Sequence, residues 1–178
     1  MKNIVLLAVF CFAATVTFAQ QRTAANAPRS QQEMEYDEQF VTKAIAGGTA
    51  EMRKGALARK KSKNAEIIRY GEMMERDHHA VNSKLKETAQ RRGDKISEQL
   101  PNNLQQSYNT LEKLDGLAFD REYVSQMVKD HRETIDLFQQ QAKNGSDQDL
   151  KDIANSALPT LQEHLRQIEQ LQKTIDKK

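Results

Sequence analysis

The stretch FDREYVSQMVKDHRETIDLF, residues 119–138, decides the fold. Its apolar residues recur at helical spacing, at Val124, Met127, Ile135 and Phe138. Such a stripe is typical of a helix that buries one face. The stripe has one gap, and the gap holds His131, four residues after Met127. The sequence therefore predicts a helix over roughly residues 117–143 that places an imidazole on its buried face.

Three other long segments repeat this pattern, and a fourth segment is shorter. The long segments span roughly residues 36–62, 65–92 and 147–176, and the short one spans Leu104–Leu114. A short link follows the first long segment, and another follows residue 143. Short links make neighbouring helices antiparallel. A long connection, about residues 93–116, joins the two pairs.

The predicted fold is therefore all-α. It is a ferritin-like four-helix bundle of two antiparallel helical hairpins, joined by a long crossover with a short extra helix. A bundle whose helices alternate up and down in chain order is the alternative. In the second link, NGSD (144–147), Gly145 suits a left-handed helix cap, and Ser146 or Asp147 can cap the next helix.

Composition and charge bound the class of protein. The chain has 178 residues, which suggests one domain, and its few Gly and Pro residues favour helices. Lys and Arg number 27 against 25 Asp and Glu, so the charge gives no reason to expect nucleic-acid binding. The basic run RKGALARKKSK (53–63) lies at a predicted helix end, where solvated cations complement the helix dipole.

The N-terminal sequence, MKNIVLLAVFCFAATVTFA (1–19), has the pattern of a secretory signal peptide. Lys2 precedes an apolar core, and Ala19 is a small residue at a suitable cleavage position. Cleavage after Ala19 predicts a periplasmic or secreted protein whose mature form has no Cys and no membrane span. Residues 20–34 are then a flexible leader, and residues 35–176 form the bundle domain.

Each predicted long helix carries one ionisable group within its apolar stripe. In chain order these groups are Glu51, His78, His131 and His164. At a rise of ~1.5 Å per residue they lie ~18, ~22, ~21 and ~28 Å from their hairpin turns, within ~10 Å of one level. Buried imidazoles and carboxylates are costly unless they are paired or bound to metal. Together they predict a site for one transition-metal ion, Cu, Zn or Fe.

Two aspartates, two methionines and one tyrosine could support this site: Asp77, Asp130, Met74, Met127 and Tyr123. Each aspartate precedes an inward histidine and could orient a histidine on a neighbouring helix, or could equally be an ordinary carboxylate at the edge of the stripe. Each methionine lies one turn before a histidine, where a thioether would favour Cu(I), although methionine in such a stripe usually only fills the core. The tyrosine could donate a hydrogen bond into the core or simply pack there. Gly47 and Gly48 precede Glu51 by one turn and would let another backbone or a ligand come close.

A metal-free interpretation stands beside the metal site. Glu51 and the inward histidines could form a satisfied hydrogen-bonded network that fixes the register of the helices. The protein would then be a structural or interaction domain of the cell envelope. The sequence does not indicate a protein partner.

Four segments resemble a known family. They are FVTKAIAGGTAEMRKGALA (40–58), MMERDH (73–78), FDREYVSQMVKDHRETIDLF (119–138) and ALPTLQEHL (157–165). In order and spacing they are similar to the ferritin-like domain-of-unknown-function family 4142, over nearly all of residues 35–172. The resemblance implies a secreted or periplasmic bacterial four-helix bundle and no particular activity. The family's motif positions fall on Gly47, Gly48, Glu51, Asp77, His78, Asp120, Tyr123, His131, Pro159 and His164.

The wider ferritin-like resemblance implies di-iron chemistry, which these residues fit poorly. A di-iron site needs a Glu from each of two helices and a Glu-x-x-His from each of the other two. ERDH (75–78) supplies one such motif, but Val128 and Leu161 stand three residues before His131 and His164. A di-iron oxidase is therefore a disfavoured third alternative, and no catalytic residue is assigned.

Overall fold

Five α-helices make up the structure, a computed structural model that describes residues 29–97 and 99–177. They are α1 (Gln31–Lys61), α2 (Ala65–Arg92), α3 (Asn102–Glu112), α4 (Gly116–Asn144) and α5 (Gln148–Ile175). The described ranges contain no strand, so the all-α prediction is confirmed. None of the helices in these ranges has the length and apolar character needed to cross a membrane.

The first helix begins earlier than the sequence predicts. Ser30 and Glu33 form a reciprocal cap, in which Glu33 N–H donates to Ser30 Oγ (3.3 Å) and Ser30 N–H donates to Glu33 Oε2 (2.8 Å). Such a box satisfies backbone donors that a helix start leaves free. The predicted leader is therefore wrong over residues 31–34, which are helical. The predicted signal peptide, residues 1–19, lies outside the described residues.

The link between α4 and α5 differs from prediction in its glycine. Gly145 has φ −59°, so the predicted left-handed cap is wrong. A side chain at this buried position would overlap the Gln141 side chain, which explains why a glycine fits there. Asp147 caps α5 as one of the two predicted alternatives, since its carboxylate accepts from Leu150 N–H at 3.2 Å.

A buried carboxylate fastens α1 to this link. Asp37 is fully buried and accepts hydrogen bonds from Gln141 Nε2 (2.7 Å), Ser146 Oγ (2.6 Å), Ser146 N–H (3.2 Å) and Asp147 N–H (2.9 Å). Four donors compensate the loss of hydration that burial of a carboxylate would otherwise cost. The network belongs to the scaffold at this end of the bundle.

Helices α1 and α2 approach closely at two glycines. A Cβ added to Gly55 would lie 2.6 Å from the Gly71 carbonyl oxygen, and one added to Gly71 would lie 2.6 Å from that of Gly55. Gly48 makes room for Asn82, whose Nδ2 donates to Ile45 O at 3.2 Å. The absence of side chains therefore sets the spacing of this hairpin.

Contacts between the hairpins give the helix directions. From one end of α1 to the other, Asp37 meets Gln141, Lys54 meets Asp130, and Lys61 meets Asp115 at the start of α4, so α1 and α4 are antiparallel. Contacts of Tyr70 with His164 and of Arg91 with Asp149 make α2 and α5 antiparallel as well. The alternative with helices alternating in chain order would make α1 and α4 parallel, and these contacts contradict it.

A polar layer divides the core into two apolar clusters. One cluster holds Met74, Tyr123, Met127 and Ile168, and the other holds Phe40, Leu85, Ile135 and Leu161, with their neighbours. On every long helix a buried ionisable residue lies between the two clusters, and α1 carries a second one, Lys54. The four predicted residues are Glu51, His78, His131 and His164. The four predicted groups are all buried, with at most 3% of each exposed.

The prediction that the basic run of residues 53–63 is solvated is wrong for Lys54. Its side chain is fully buried, and Nζ donates to Asp130 Oδ2 (2.7 Å) and Ser107 Oγ (2.9 Å). Lys54 lies three residues after Glu51 and therefore shares its face of α1. The ammonium joins α1, α3 and α4 beside the polar layer.

Candidate metal centre

Three histidines from three helices converge in the polar layer. His78 on α2, His131 on α4 and His164 on α5 each offer one ring nitrogen, and these nitrogens all lie within 4.8 Å of one another. The rings are also close, with centroids 5.4–5.7 Å apart. Helical packing alone produces this convergence, because each histidine occupies the gap in an otherwise apolar stripe.

The hydrogen bonds of His131 fix which nitrogen carries its proton. Its Nδ1 lies 2.9 Å from the carbonyl oxygen of Met127, one turn earlier, and 3.4 Å from Glu51 Oε1. A carbonyl oxygen can only accept, so Nδ1 is the donor and carries the proton. The lone pair of the neutral ring is then on Nε2, which points toward His164.

The same reasoning applies to His164 from the other side. Its Nε2 lies 3.0 Å from Asp77 Oδ2, and Asp77 also contacts Arg76 at 2.8 Å. Burial raises the pKa of Asp77, but hydrogen bonds from Arg76 and His164 outweigh this and hold that pKa below its ordinary value. The ionised carboxylate accepts, so His164 carries its proton on Nε2 and its lone pair on Nδ1.

Two lone pairs therefore face each other in the neutral site. His131 Nε2 and His164 Nδ1 are 3.4 Å apart, and neither has a proton to share once the opposite nitrogens donate. Protonating either ring would supply a hydrogen bond, but burial lowers the pKa of both imidazoles. A positive ion between the two nitrogens removes this conflict.

The third ring has an unused nitrogen. Burial lowers the pKa of His78 to about 4, so this imidazole is neutral at physiological pH. Its Nδ1 lies 3.2 Å from Glu51 Oε2, whereas its Nε2 is buried and has no hydrogen-bond partner among the described residues. A neutral imidazole with a free lone pair is the form that binds metal.

Glu51 is not one of the three residues whose ligand atoms converge in the polar layer. Its Oε2 lies 3.2 Å from His78 Nδ1 and its Oε1 lies 3.4 Å from His131 Nδ1, so Glu51 stands beside two of the three rings, and its role as a direct ligand stays a prediction. Both oxygens are buried, and neither has an aligned hydrogen bond within residues 29–97 and 99–177. Burial raises the pKa of Glu51 to about 7, against a partial compensation by His131.

The side chains predicted to support the site have different surroundings in the structure. Asp77 contacts a histidine, His164, whereas Asp130 pairs with Lys54, as an ordinary carboxylate at the edge of the stripe would. Met74 and Met127 are fully buried in the apolar cluster, and Met127 contributes its backbone carbonyl to His131.

Two tyrosines lie beside the polar layer. Tyr123 stacks on Phe119 with centroids 6.0 Å apart, and its hydroxyl has no hydrogen-bond partner among the described residues, so it packs rather than donates. Tyr70 was not predicted; its hydroxyl donates to the His164 carbonyl at 3.2 Å. The stripe could have indicated Tyr70, because it lies three residues after the buried Ile67.

A helical bundle with three buried, converging histidines defines the class of protein. The chain belongs to the family described as a domain of unknown function (DUF4142), which matches residues 19–171. This confirms the resemblance noted in the sequence. No curated protein matches the chain.

Two solved structures have a similar fold. The structure titled CopM in the Cu(I)-bound form has a TM-score of 0.67 and 16% identity, and the match covers 78% of this chain and 96% of that one. A DUF305 fragment from Deinococcus radiodurans has a TM-score of 0.71 and 13% identity, with 83% and 99% covered. At these identities the likeness concerns the fold alone.

Proposed function

We propose that this protein binds one transition-metal ion through His78 Nε2, His131 Nε2 and His164 Nδ1. One observation carries the proposal: two ring nitrogens whose lone pairs face each other lie 3.4 Å apart, with a third, unpartnered ring nitrogen beside them. In each ring the opposite nitrogen lies against an oxygen acceptor. That arrangement orients metal-binding histidines in proteins generally.

The donor set suits copper, zinc or iron. Imidazole binds all three metals, and three histidines leave a further coordination position open. Glu51 and Asp77 lie against the outer nitrogens and supply negative charge to offset a buried cation. The similar fold titled as Cu(I)-bound makes copper the first metal to test. The cluster holds no carboxylate, which disfavours the di-iron alternative.

The protein's own residues would act as follows. The three histidines hold the ion, Met127 O and Asp77 fix the rings of His131 and His164, and the two apolar clusters exclude water. The ion would act as a Lewis acid or, for copper and iron, as a one-electron centre. We assign storage, delivery or sequestration of the metal as the role that a site of three imidazoles between apolar clusters fits best.

Metal titration tests this proposal. Untagged protein is stripped with chelator and titrated with Cu(I) and Zn²⁺ against a competing chromogenic chelator. We expect one ion per chain, and we expect His78→Ala combined with His131→Ala to abolish stoichiometric uptake. His79→Ala, which removes an exposed imidazole at the adjacent position, should keep it. No uptake, or equal uptake in the double variant, would leave the metal-free structural role instead.

The fold and location complete the proposal. We infer a ferritin-like four-helix bundle, which the antiparallel pairing of α1 with α4 and the long crossover support. We also infer export to the periplasm or the exterior after cleavage following Ala19. N-terminal sequencing of the mature protein should begin at Gln20, and an intact Met1 would contradict the inference.

A further inference from the structure

A pocket of about 470 Å³ leads from the surface to Glu51. It lies between α1, α4 and the start of α3. Exposed side chains, Lys43 and Glu133, line it. The rest of its wall combines small or apolar residues with the polar residues Thr134, Asn103 and Asp130, of which Asp130 is paired with Lys54. The wall includes Ala46, Gly47, Ala50, Leu104 and Leu137. A pocket of this size is large enough for a hydrated metal ion or a small ligand.

Gly47 keeps this pocket open. A Cβ added there would meet only the Thr134 hydroxyl, at 4.0 Å. Its helical neighbour Gly48 is different, because a Cβ there would collide with Asn82. Close packing between helices therefore explains why position 48 is a glycine, but not why position 47 is. A glycine at position 47 leaves space in the pocket, although it costs some helix stability.

The inner end of the pocket is an unsatisfied carboxylate. Glu51 is 1% exposed, belongs to the pocket wall, and has no aligned hydrogen bond at either oxygen within the described residues. Buried polar groups are normally hydrogen-bonded, so this carboxylate is free to bind a ligand. Behind it lie His78 and His131, at 3.2 and 3.4 Å.

A second groove, which reaches the site at Asp77, has no unpaired buried carboxylate among its described lining residues. It lies between α2 and α5, and its wall includes Asp77, Ala80 and Lys84. There both carboxylate oxygens of Asp77 are already engaged, by Arg76 and by His164. A cation arriving by this groove would pass the exposed Asp152 and then meet the neutralised carboxylate of Asp77, whereas one arriving by the α1–α4 pocket would meet the free oxygens of Glu51.

We propose that the metal ion reaches and leaves the three-histidine site through the α1–α4 pocket, with Glu51 as its temporary ligand. The inference rests on the proposed function. His78 is the ring that admits the ion, because neither of its ring nitrogens has an aligned hydrogen bond to hold it. His131 and His164 are held by the Met127 carbonyl and by Asp77 and form the fixed part of the site.

Exchange kinetics test the route. Zn²⁺ uptake and release are followed by stopped flow with a chromogenic chelator, and affinity is measured separately by competition. Gly47→Leu, whose Cβ has room, should fill the pocket and slow uptake and release at least tenfold, with affinity unchanged within twofold. Ala80→Leu, which adds the same side chain to the α2–α5 groove, should leave both rates within twofold of wild type.

The outcomes separate the route from the site itself. Wild-type rates in Gly47→Leu, or equal slowing in Ala80→Leu, would overturn the route while stoichiometric binding still stood. Absence of Zn²⁺ and Cu(I) binding in the wild type would overturn the proposed function and the route together. Ala46→Leu, on the same wall, provides a second obstruction if Gly47→Leu yields too little folded protein.

Discussion

At the scale of single residues, the orientation of three rings determines what the site can bind. Hydrogen bonds to Met127 O and to Asp77 place a proton on the outer nitrogen of His131 and of His164. The inner nitrogens of these two rings therefore carry lone pairs, and His78 Nε2 has no hydrogen-bond partner among the described residues. Turning the ring of His131 or of His164 over would place an N–H group where a lone pair now faces the site, and that ring could then no longer bind an ion.

Removing the acceptor of His164 should weaken metal binding. Asp77→Ala leaves His164 Nε2 without its partner at 3.0 Å, so the ring loses its preferred tautomer and orientation. We expect affinity to fall roughly 10–100-fold, as for other outer partners of metal-bound histidines. Competition titration measures this. Asp152→Ala, an exposed acid on the same groove, is the matched control, and an equal loss there would indicate a general charge effect.

The metal-free protein should lose stability in mild acid. At His78 the unfolded chain binds a proton below pH 6.5, whereas burial prevents this in the folded protein until about pH 4. Protons therefore favour the unfolded state, and stability falls as pH falls from 6.5 to 4. The pKa values of His131 and His164 are lowered in the same direction.

Glu51 acts in the opposite direction over part of this range. Its folded pKa of about 7 exceeds its ordinary value of 4.5, so its stabilising contribution is lost as pH rises to 7. The lowered pKa values of His131 and His164 act in the same direction as that of His78, so we expect a net loss of stability as pH falls below 6.5. Denaturant unfolding in chelator should show that His78→Gln removes about 3 kcal/mol of the acid loss. If His78→Gln and the control His79→Gln lose the same amount of stability in acid, His78 is not the origin of the acid effect.

At the scale of helices, the closeness of α1 and α2 depends on two glycines. Gly55→Ala or Gly71→Ala places a methyl group 2.6 Å from a backbone oxygen and should force the helices apart, at about 1–3 kcal/mol. Gly47→Ala meets no such obstacle and should stabilise by roughly 0.5–1 kcal/mol. Urea unfolding measures the free energy of unfolding of each variant. A Gly71→Ala variant more stable than wild type would contradict the close approach of α1 and α2.

The helices themselves could be predicted well from the sequence. The predicted bounds of α2, residues 65–92, are met, and those of α4 and α5 are met within one residue at each end. Apolar periodicity carries this information because every long helix buries one continuous face. The start of α1 was missed, since its first turn is stabilised by the Ser30–Glu33 cap rather than by apolar contacts.

The site could be predicted only in part. The interruptions of the apolar stripes indicate His78, His131 and His164, because an ionisable residue within an apolar stripe is buried with it. They could not show that Glu51 stands beside two of the three rings, since this depends on rotation of neighbouring helices by a fraction of a turn. The basic neighbours of Lys54 predict a solvated side chain, yet Lys54 pairs with Asp130 inside the bundle.

At the scale of the whole molecule, the polar layer interrupts an otherwise continuous core. The facing lone pairs and the unsatisfied carboxylate cost free energy when the site holds no ion. An ion bound as proposed would therefore stabilise α2, α4 and α5 together, through the three histidines that they carry. The protein should be less stable without metal than its length and apolar burial would suggest.

Metal should accordingly raise the melting temperature. At a free ion concentration of 100 times Kd, binding adds about 2.7 kcal/mol to the free energy of unfolding. For a domain of this size that is roughly 5–10 °C. Calorimetry with and without Zn²⁺ measures the shift, and the variant combining His78→Ala with His131→Ala should show none. An equal shift in that variant would assign the effect to ions bound elsewhere.

The most direct test of the central claim is an anomalous difference map from crystals grown with Zn²⁺. The three-histidine site predicts one strong peak per chain, about 2.0–2.1 Å from His78 Nε2, His131 Nε2 and His164 Nδ1. A map with no peak in the polar layer, or with zinc bound only to surface carboxylates, would contradict the assignment of this protein as a metal-binding bundle.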